Sequence, residues 1–566
     1  MQERQRGSSG TVANVGDAPD LSQTDTTHPK ASSGHPADAG LTGRLSRRRG
    51  LSGSAIALLI FPAMMLIGGL VMIGYMSPIY SGLQALDYDP AYPYLFNGAG
   101  LMKGYNPSHV DHPGTPVQIL TGLISIVSWS VATLCGLTSL AFPASVAANS
   151  EEYLRIIMTA FLVMNCLAVY WLGSAIARST RIVMAGIACQ AAYLLISPLL
   201  FPRIFHAAPE AILCLSATAL MSVLAPVLFA DRECSDRRAV AAGFFIGLGI
   251  ATKVTFFPLL LLALVPGRKR PIIIALAACV LSTFFLLVPV MSKLNRIFQW
   301  LFAIATHEGR HGGGAAGFID WTGIPDTARR IASAEPILVV AIIAVAAAIL
   351  LSNSSDRRKA AIIAAALGGM IVLVLKHYAA HYLMPAVAIA PAIIVWSISR
   401  LANRQSSYVI AAAIAHVIGG TSIANLTSTF ANERVLRREN ESAVSDVIAK
   451  YQNPVVIGAY RSGYKPWAVL FGLAWSDLKF ARLFPQTTAA DSLTYDAGLK
   501  KLWRAHAGPV DWSYLDQFEK AGRTVLIVQS RGSKIEPQTA RTETLLDQGF
   551  GDTVERIIVS PGAGDQ

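Results

Sequence analysis

Eleven apolar runs constrain this chain before any motif is considered. They cover residues 55–75, 114–137, 153–176, 182–201, 208–230, 239–266, 271–291, 336–352, 359–375, 381–398 and 407–424. A helix needs roughly 20 apolar residues to cross the hydrocarbon core of a bilayer. Runs of that order, repeated along 566 residues, predict a polytopic membrane protein. Only 14% of the residues are charged, against roughly 25% in soluble domains. The expected fold class is an all-α polytopic membrane protein with about 11 transmembrane helices, in a range of roughly 10–13. A small α/β C-terminal extracytoplasmic domain follows it.

The formal charge of +12 would suit nucleic acid if it were gathered on a soluble face. Instead the cations sit in short loops between apolar runs: Arg178/Arg181, Asp231–Arg238, Gly267–Arg270, Asp356–Lys359 and Arg400/Arg404. That is the pattern of cytoplasmic loops in membrane proteins, and it excludes a nucleic-acid partner. Residues 1–42, rich in Ser, Thr, Gly, Asp and Pro, read as a disordered cytoplasmic tail. The basic stretch Arg44–Arg49 and the run Ala55–Tyr75 then read as a signal anchor. Placing every basic loop inside leaves 114–137 and 239–266 unable to cross once each. Each is then a short hairpin, a re-entrant segment or a tilted element. The alternative lets both cross once and puts Arg178/Arg181 and Asp231–Arg238 outside. The first solution keeps the charge rule everywhere and is preferred.

Both solutions put the loops 79–116 and 292–335, the segment Lys376–Tyr382 and everything after about residue 430 on the outer face. The chain thus divides into the tail 1–42, a transmembrane domain 43–429 and an outer domain 430–566. In the last, Pro454–Tyr460, Thr524–Ser530 and Ile557–Ser560 read as buried strands, and 439–451 and 514–521 as helices. Five of the six cysteines lie in apolar runs and Cys234 in a basic loop, so neither a disulfide framework nor zinc-type spacing is present. Ala-rich helices and Cys-poor outer regions point to a cell inner (plasma) membrane, multi-pass, with the N terminus cytoplasmic.

The polar residues that remain gather at the outer side. Asp87 and Asp89 lie in a short loop that ends in Asp111-His112-Pro113-Gly114-Thr115-Pro116. A carboxylate beside a bilayer is partly desolvated, which raises its proton affinity and suits a general base; a solvated loop acid or a helix N-cap is the plainer reading. The stretch Ala91–Gly98 between them alternates aromatic and polar groups as an interfacial helix does. His112 can donate to an anionic group or help to bind a metal. Pro202–Glu210 brings Arg203, His206 and Glu210 to the junction of two apolar runs, where ionisable groups are costly and usually functional. Lys253 lies inside the run 239–266. If that run is a hairpin, Lys253 sits at its outer tip; if it crosses once, Lys253 is buried mid-membrane and needs a partner. Lys376 and His377, followed by His381-Tyr382, stand at the outer ends of adjacent runs, where a lysine pairs with a lipid phosphate or simply anchors the helix. His307-Glu308-Gly309-Arg310-His311 spells His-Glu-x-x-His, yet Gly309 and Gly312–Gly314 oppose the helix that a zinc protease needs. A glycine loop carrying Arg310 suits a phosphate or sugar better.

Taken in order, these segments resemble a known family. An acidic loop after the first helix is followed by Gly104-Tyr105-Asn106-Pro107 and by His112-Pro113-Gly114-Thr115-Pro116. Then come Ser150–Arg155, Pro209-Glu210, Gly247–Lys253 and Tyr382-Leu383-Met384-Pro385. The chain is similar over roughly 55–430 to the GT-C superfamily of integral-membrane glycosyltransferases, such as protein O-mannosyltransferases and lipid A aminoarabinose transferases. The resemblance implies a polyprenyl-phosphate-linked sugar donor and inverting transfer at the outer face. It also implies a loop acid as base or metal ligand: Asp89 by its spacing to Gly104, with Asp87 second. His112, Arg310, Lys376, His377, Lys253, His206 and Glu210 are the candidates for binding the donor phosphate and sugar. A divalent cation, Mg2+ or Mn2+, would sit on the loop acids. The acceptor is a lipid, a glycan or a protein, and membrane lipids surround the site. A second class, a transporter or flippase of lipid-linked precursors, would show inverted repeats with broken midplane helices, and none is evident. A membrane metalloprotease is third.

Overall fold

The computed structural model describes residues 54–75, 91–110, 114–197, 200–306, 321–375, 378–401 and 405–459, and from 469 to 558 mainly the segments of a C-terminal sheet. The expected tail 1–42 and Arg44–Arg49 lie outside the described residues. The helices are α1 (Ile60–Tyr75), α2 (Tyr92–Leu101), α3 (Thr115–Leu134), α4 (Phe142–Ala148), α5 (Ser150–Thr180), α6 (Val183–Ala192), α7 (Pro209–Ala230) and α8 (Asp236–Thr252). They continue with α9 (Lys269–Leu287), α10 (Leu294–Thr306), α11 (Ile324–Ala334), α12 (Pro336–Leu351), α13 (Ser354–Val374), α14 (Met384–Leu401) and α15 (Gln405–Ala449). Among the described residues six helices are long and apolar enough to cross a membrane, or seven if α11 and α12, bent by 103° at Glu335, form one span. Val183–Leu195, Val254–Leu264 and Gln405–Ile418 are shorter apolar helices.

Side-chain contacts fix the direction of each helix. Arg155 near the start of α5 donates to the carbonyl of Ile73 at the end of α1, so the two run antiparallel. Gln190 of α6 donates to the Val169 carbonyl of α5 at 3.4 Å. Asn165 of α5 donates to the carbonyl of Ala211 at the start of α7 at 3.1 Å, and Arg178 and Pro226 line one cavity farther along, so α5 and α7 are parallel. At one end Asp231 accepts from Lys359 of α13 and, at 3.0 Å, from Arg400 of α14. Burial raises the Asp231 pKa, but these two cations outweigh it and hold the carboxyl below its usual range. The basic loops after α5, α7 and α14 and before α8, α9 and α13 therefore collect at one end of the bundle, here called the basic end.

The run 239–266 is a hairpin. Asp236 and Arg270 pair at 2.5 Å, as do Glu233 and Arg268, so α8 and α9 start side by side. They stay parallel because glycines face the partner backbone: a Cβ on Gly243 would lie 2.1 Å from the Ala275 oxygen, and one on Gly247 2.6 Å from the Cys279 oxygen. Small residues allow this approach in membrane helices. Two parallel neighbours need a return leg. Lys253 supplies the break with an extended backbone (φ −158°, ψ 132°), and the 3-10 helix Val254–Leu264 runs back along α13. The Arg358 guanidinium donates to the Val265 carbonyl at 3.1 Å, and Gly369 faces Pro258. The run 114–137 is a single unbroken helix, so no hairpin forms there. Its start meets the hairpin tip, and after it Trp129 donates to the Leu140 carbonyl at 2.9 Å before α5 begins beside Ile73. Both flanks thus belong to the end opposite the basic loops, as a tilted element requires.

Helix α15 runs parallel to α1. Phe61 meets His416 at 5.9 Å between ring centroids, and Arg434 reaches the Gly74 carbonyl at 3.2 Å. It leads into a seven-stranded sheet of β1 (Val455–Ala459), β2 (Leu493–Asp496), β3 (Lys501–Arg504), β4 (Gly508–Val510), β5 (Val525–Ser530), β6 (Arg541–Asp547) and β7 (Asp552–Ile558). The order is β4-β3-β2-β1-β5-β7-β6, with β1 parallel to β2 and β5 and the other pairs antiparallel. Alternation sorts the faces. Val455, Ile457, Val525 and Ile527 pack with Leu515 and Phe518 around the helix α16 (Asp516–Lys520). Val456, Leu526 and Val528 pack with Val444 and Val447 of α15. The expected strands at 454–460 and 524–530 coincide with β1 and β5, whereas 557–560 overlaps only the end of β7.

Replacing Gly243 by Val is expected to wedge α8 from α9, since overpacking costs about 1–3 kcal/mol. The thermal midpoint of the purified protein in detergent should fall by several degrees; an unchanged midpoint would contradict the close approach.

Candidate functional site

Three costly side chains from separate elements are brought to one place by the fold. The short 3-10 turn Phe201–Ile204 carries Arg203, and Pro209 and Glu210 open α7 with the proline and acid that a helix N-terminus favours. The hairpin tip delivers Lys253 from the opposite side. Its Nζ lies 2.9 Å from Glu210 Oε1, and Arg203 Nη1 lies 3.8 Å from Glu210 Oε2. Glu210 is fully buried, with Lys253, Arg203 and His206 at 6% exposure or less. Lys253 also sits 4.8 Å from the centre of the Tyr382 ring, against which His381 packs edge-on at 4.4 Å.

Isolated charges are very costly in an apolar interior, so such groups pair. Here one carboxylate faces two cations. Both cations are shielded from water, where a charge acts strongly on an anion. The same pair fixes the hairpin tip to α7.

The start of α3 meets this cluster. The Gly114 amide donates to the Thr252 carbonyl, next to Lys253, at 3.1 Å. Gly114 adopts φ 65°, a conformation glycine takes without strain, and α3 starts directly after it. On the other side of the loop, Asn97 accepts from the Ser108 amide at 2.6 Å and donates to the carbonyls of Pro93 (2.6 Å) and Trp475 (2.8 Å). Gln118 donates to the His109 carbonyl at 2.6 Å, and Lys293 to the Pro107 carbonyl at 2.5 Å. Every residue from Tyr92 to Gly100 is buried. The interfacial helix expected here is therefore covered, because α3 packs on one side and the segment before β2 on the other. Phe480 meets Phe96 at 5.6 Å, and Gly472 faces Tyr92.

Asp87, Asp89 and His112 lie outside the described residues, as do Arg310, Lys376 and His377 and the His307–His311 motif. Lys253, His206 and Glu210 are described and share one buried region. His381 and Tyr382 reach Lys253's neighbourhood. Glu335 was not singled out by sequence. It is buried at the α11–α12 bend, where Ser197 Oγ donates to it; a lone acid before a proline carries no periodic signal. Among the described residues no three His, Cys, Asp or Glu side chains converge as a metal site would. The loop acids, where a cation was expected, are not among those residues.

No protein-family model matches the chain, and no curated protein matches it. Among solved structures the chain is similar to the crystal structure of ArnT from Cupriavidus metallidurans bound to undecaprenyl phosphate. The two share 12% identity over 89% of this chain and 99% of that one, with a TM-score of 0.49.

Glu210→Gln leaves two buried cations facing a neutral amide. Removing one partner of such a pair typically costs about 3–5 kcal/mol. Thermal unfolding should show a large loss for Glu210→Gln and a smaller one for Glu210→Gln combined with Lys253→Met. Strictly additive losses would mean that the two residues do not interact.

Proposed function

We propose that this chain is a membrane glycosyltransferase. It moves a sugar from a polyprenyl-phosphate-linked donor to an acceptor at the outer face of a cell inner membrane. The observation that carries the reading is the buried Lys253–Glu210–Arg203 group, in which two cations share one carboxylate among the described residues and which meets the start of α3 through Thr252 and Gly114. A phosphate leaving group needs positive charge held ready in a dry site, while the attacking group needs a base within reach.

The transfer is one inverting displacement. The acceptor hydroxyl or amine gives its proton to the Asp89 carboxylate, with Asp87 as the second candidate. Its oxygen or nitrogen forms a bond to the anomeric carbon on the face opposite the phosphate. The carbon–oxygen bond to the phosphate breaks, and the electron pair leaves with the phosphate oxygen. Lys253 and Arg203, with His112, Arg310, Lys376 and His377 from the loops, balance the charge that collects there. His206 and Glu210 shape and orient this lining, and Mg2+ or Mn2+ on the loop acids would add to the balance.

The positive-inside rule assigns the basic end to the cytoplasm. The acid loop, the hairpin tip and the C-terminal sheet then face outward. With α1, α5, α6, α7, both legs of the hairpin, α9, α12, α13, α14 and α15 each taken as one pass, successive directions alternate and give about eleven crossings.

Mass spectrometry of envelope glycolipids and glycans tests this reading in cells that carry the wild-type chain, no chain, or Asp89→Asn. A glycosylated species should vanish without the chain and with Asp89→Asn, although the variant still accumulates in the membrane. Lys253→Met should slow transfer by about a hundredfold or more, the scale of losing one preorganised charge contact. Normal product with Asp89→Asn would remove that aspartate from the role of base.

A further inference from the structure

A cationic cavity lies at the basic end of the bundle. It holds about 350 Å³ between the ends of α5 and α7 and the start of α8. Arg178, Arg232, Arg237 and Arg238 line it. Arg178, Arg232 and Arg237 are exposed and Arg238 is half-buried, so the mouth opens to water and concentrates positive charge that favours an anion.

The neighbouring acids do not supply that anion. Glu233 pairs with Arg268 and Asp236 with Arg270, each at 2.5 Å. Asp231 is taken by Lys359 and Arg400. Among the described residues, none of the four cavity arginines has an ion-pair partner. Three acids on one loop are thus drawn to cations outside the cavity; of the arginines inside, Arg238 donates to the Glu233 carbonyl at 3.4 Å, and the four together keep their positive charge for a ligand.

The walls show which kind of ligand fits. On the bilayer side the lining turns apolar, with Trp171 and Val223. Trp171 is 38% exposed on the outer surface of α5, and its ring lies 6.1 Å from that of Phe245. An arginine-lined mouth beside an apolar wall matches a phosphate head group joined to acyl chains. Free phosphate would use only the first half. Basic pockets between transmembrane helices on the cytoplasmic side bind anionic head groups in this way.

We infer that this cavity binds the phosphate of an anionic phospholipid of the inner leaflet. Occupancy offsets part of the charge of the four arginines and ties α5 to α7 and α8, at the end opposite the proposed transfer site. It is independent of the transfer chemistry.

The test uses the full-length protein in nanodiscs of phosphatidylcholine, with and without phosphatidylglycerol or cardiolipin. Native mass spectrometry reads bound lipid, and the thermal midpoint reads stabilisation. Wild type should retain anionic lipid and gain several degrees from it, whereas inorganic phosphate alone should do neither. Arg232→Gln, Arg237→Gln and Arg238→Gln combined should weaken retention by about a hundredfold. Lys269→Gln, on the same face but outside the cavity, should leave retention unchanged. Val223→Trp fills the apolar half, keeps every charge and should also lower retention severalfold, which covers a triple variant that fails to fold. Three results would overturn the assignment: undiminished retention in both the triple variant and Val223→Trp, an equal loss with Lys269→Gln, or equal stabilisation by inorganic phosphate.

Discussion

The contact between Lys253 and Glu210 is the constraint on which the loop end of this protein depends. An ammonium and a carboxylate out of reach of water are tolerated only because they meet each other. That requirement draws the tip of the α8 hairpin to the first turn of α7 and brings Arg203 alongside. The Gly114 turn rests on the same tip through Thr252. The lower half of the hairpin is fixed differently, by close backbone packing on α9 and by Glu233 and Asp236 pairing at the basic end. One element is thus held apolar along its length and ionic at both ends.

Much of the membrane region could be read directly from residue order. Apolar runs separated by cations specify helices with their basic loops gathered on one side, and the helix directions follow that pattern. The charge rule also singled out 114–137 and 239–266 as elements that do not cross once. What it could not do was distinguish them. Residues 239–266 fold back because Lys253 must leave the helix to find Glu210, a partner 43 positions away. No such residue interrupts 114–137, which stays one helix.

The sheet was less legible. β1 and β5 lie at its centre, are buried on both faces and read as short apolar runs. β2, β3, β4 and β6 are short or polar, with sequences such as Leu-Thr-Tyr-Asp and Lys-Leu-Trp-Arg, and only their neighbours make them strands. Burial of Tyr92–Gly100 was likewise invisible, because the cover comes from residues 472–480, far along the chain. For the candidate site, Lys253, His206 and Glu210 could be named singly from their cost in an apolar setting. Their meeting, and the part played by Tyr382, needed the tertiary arrangement.

The uninterrupted course of α15 has a mechanical consequence. Its 45 residues amount to about 67 Å of rigid rod, more than twice the hydrocarbon thickness of roughly 30 Å. Its last turns are built into the sheet through Val444 and Val447. A continuous helix transmits rotation as well as height. Each residue inserted in its upper half would lift the sheet by about 1.5 Å and swing it by about 100°. The number of residues in that stretch therefore acts as a gauge, setting both the height of the sheet along the helix axis and the direction in which its edges face.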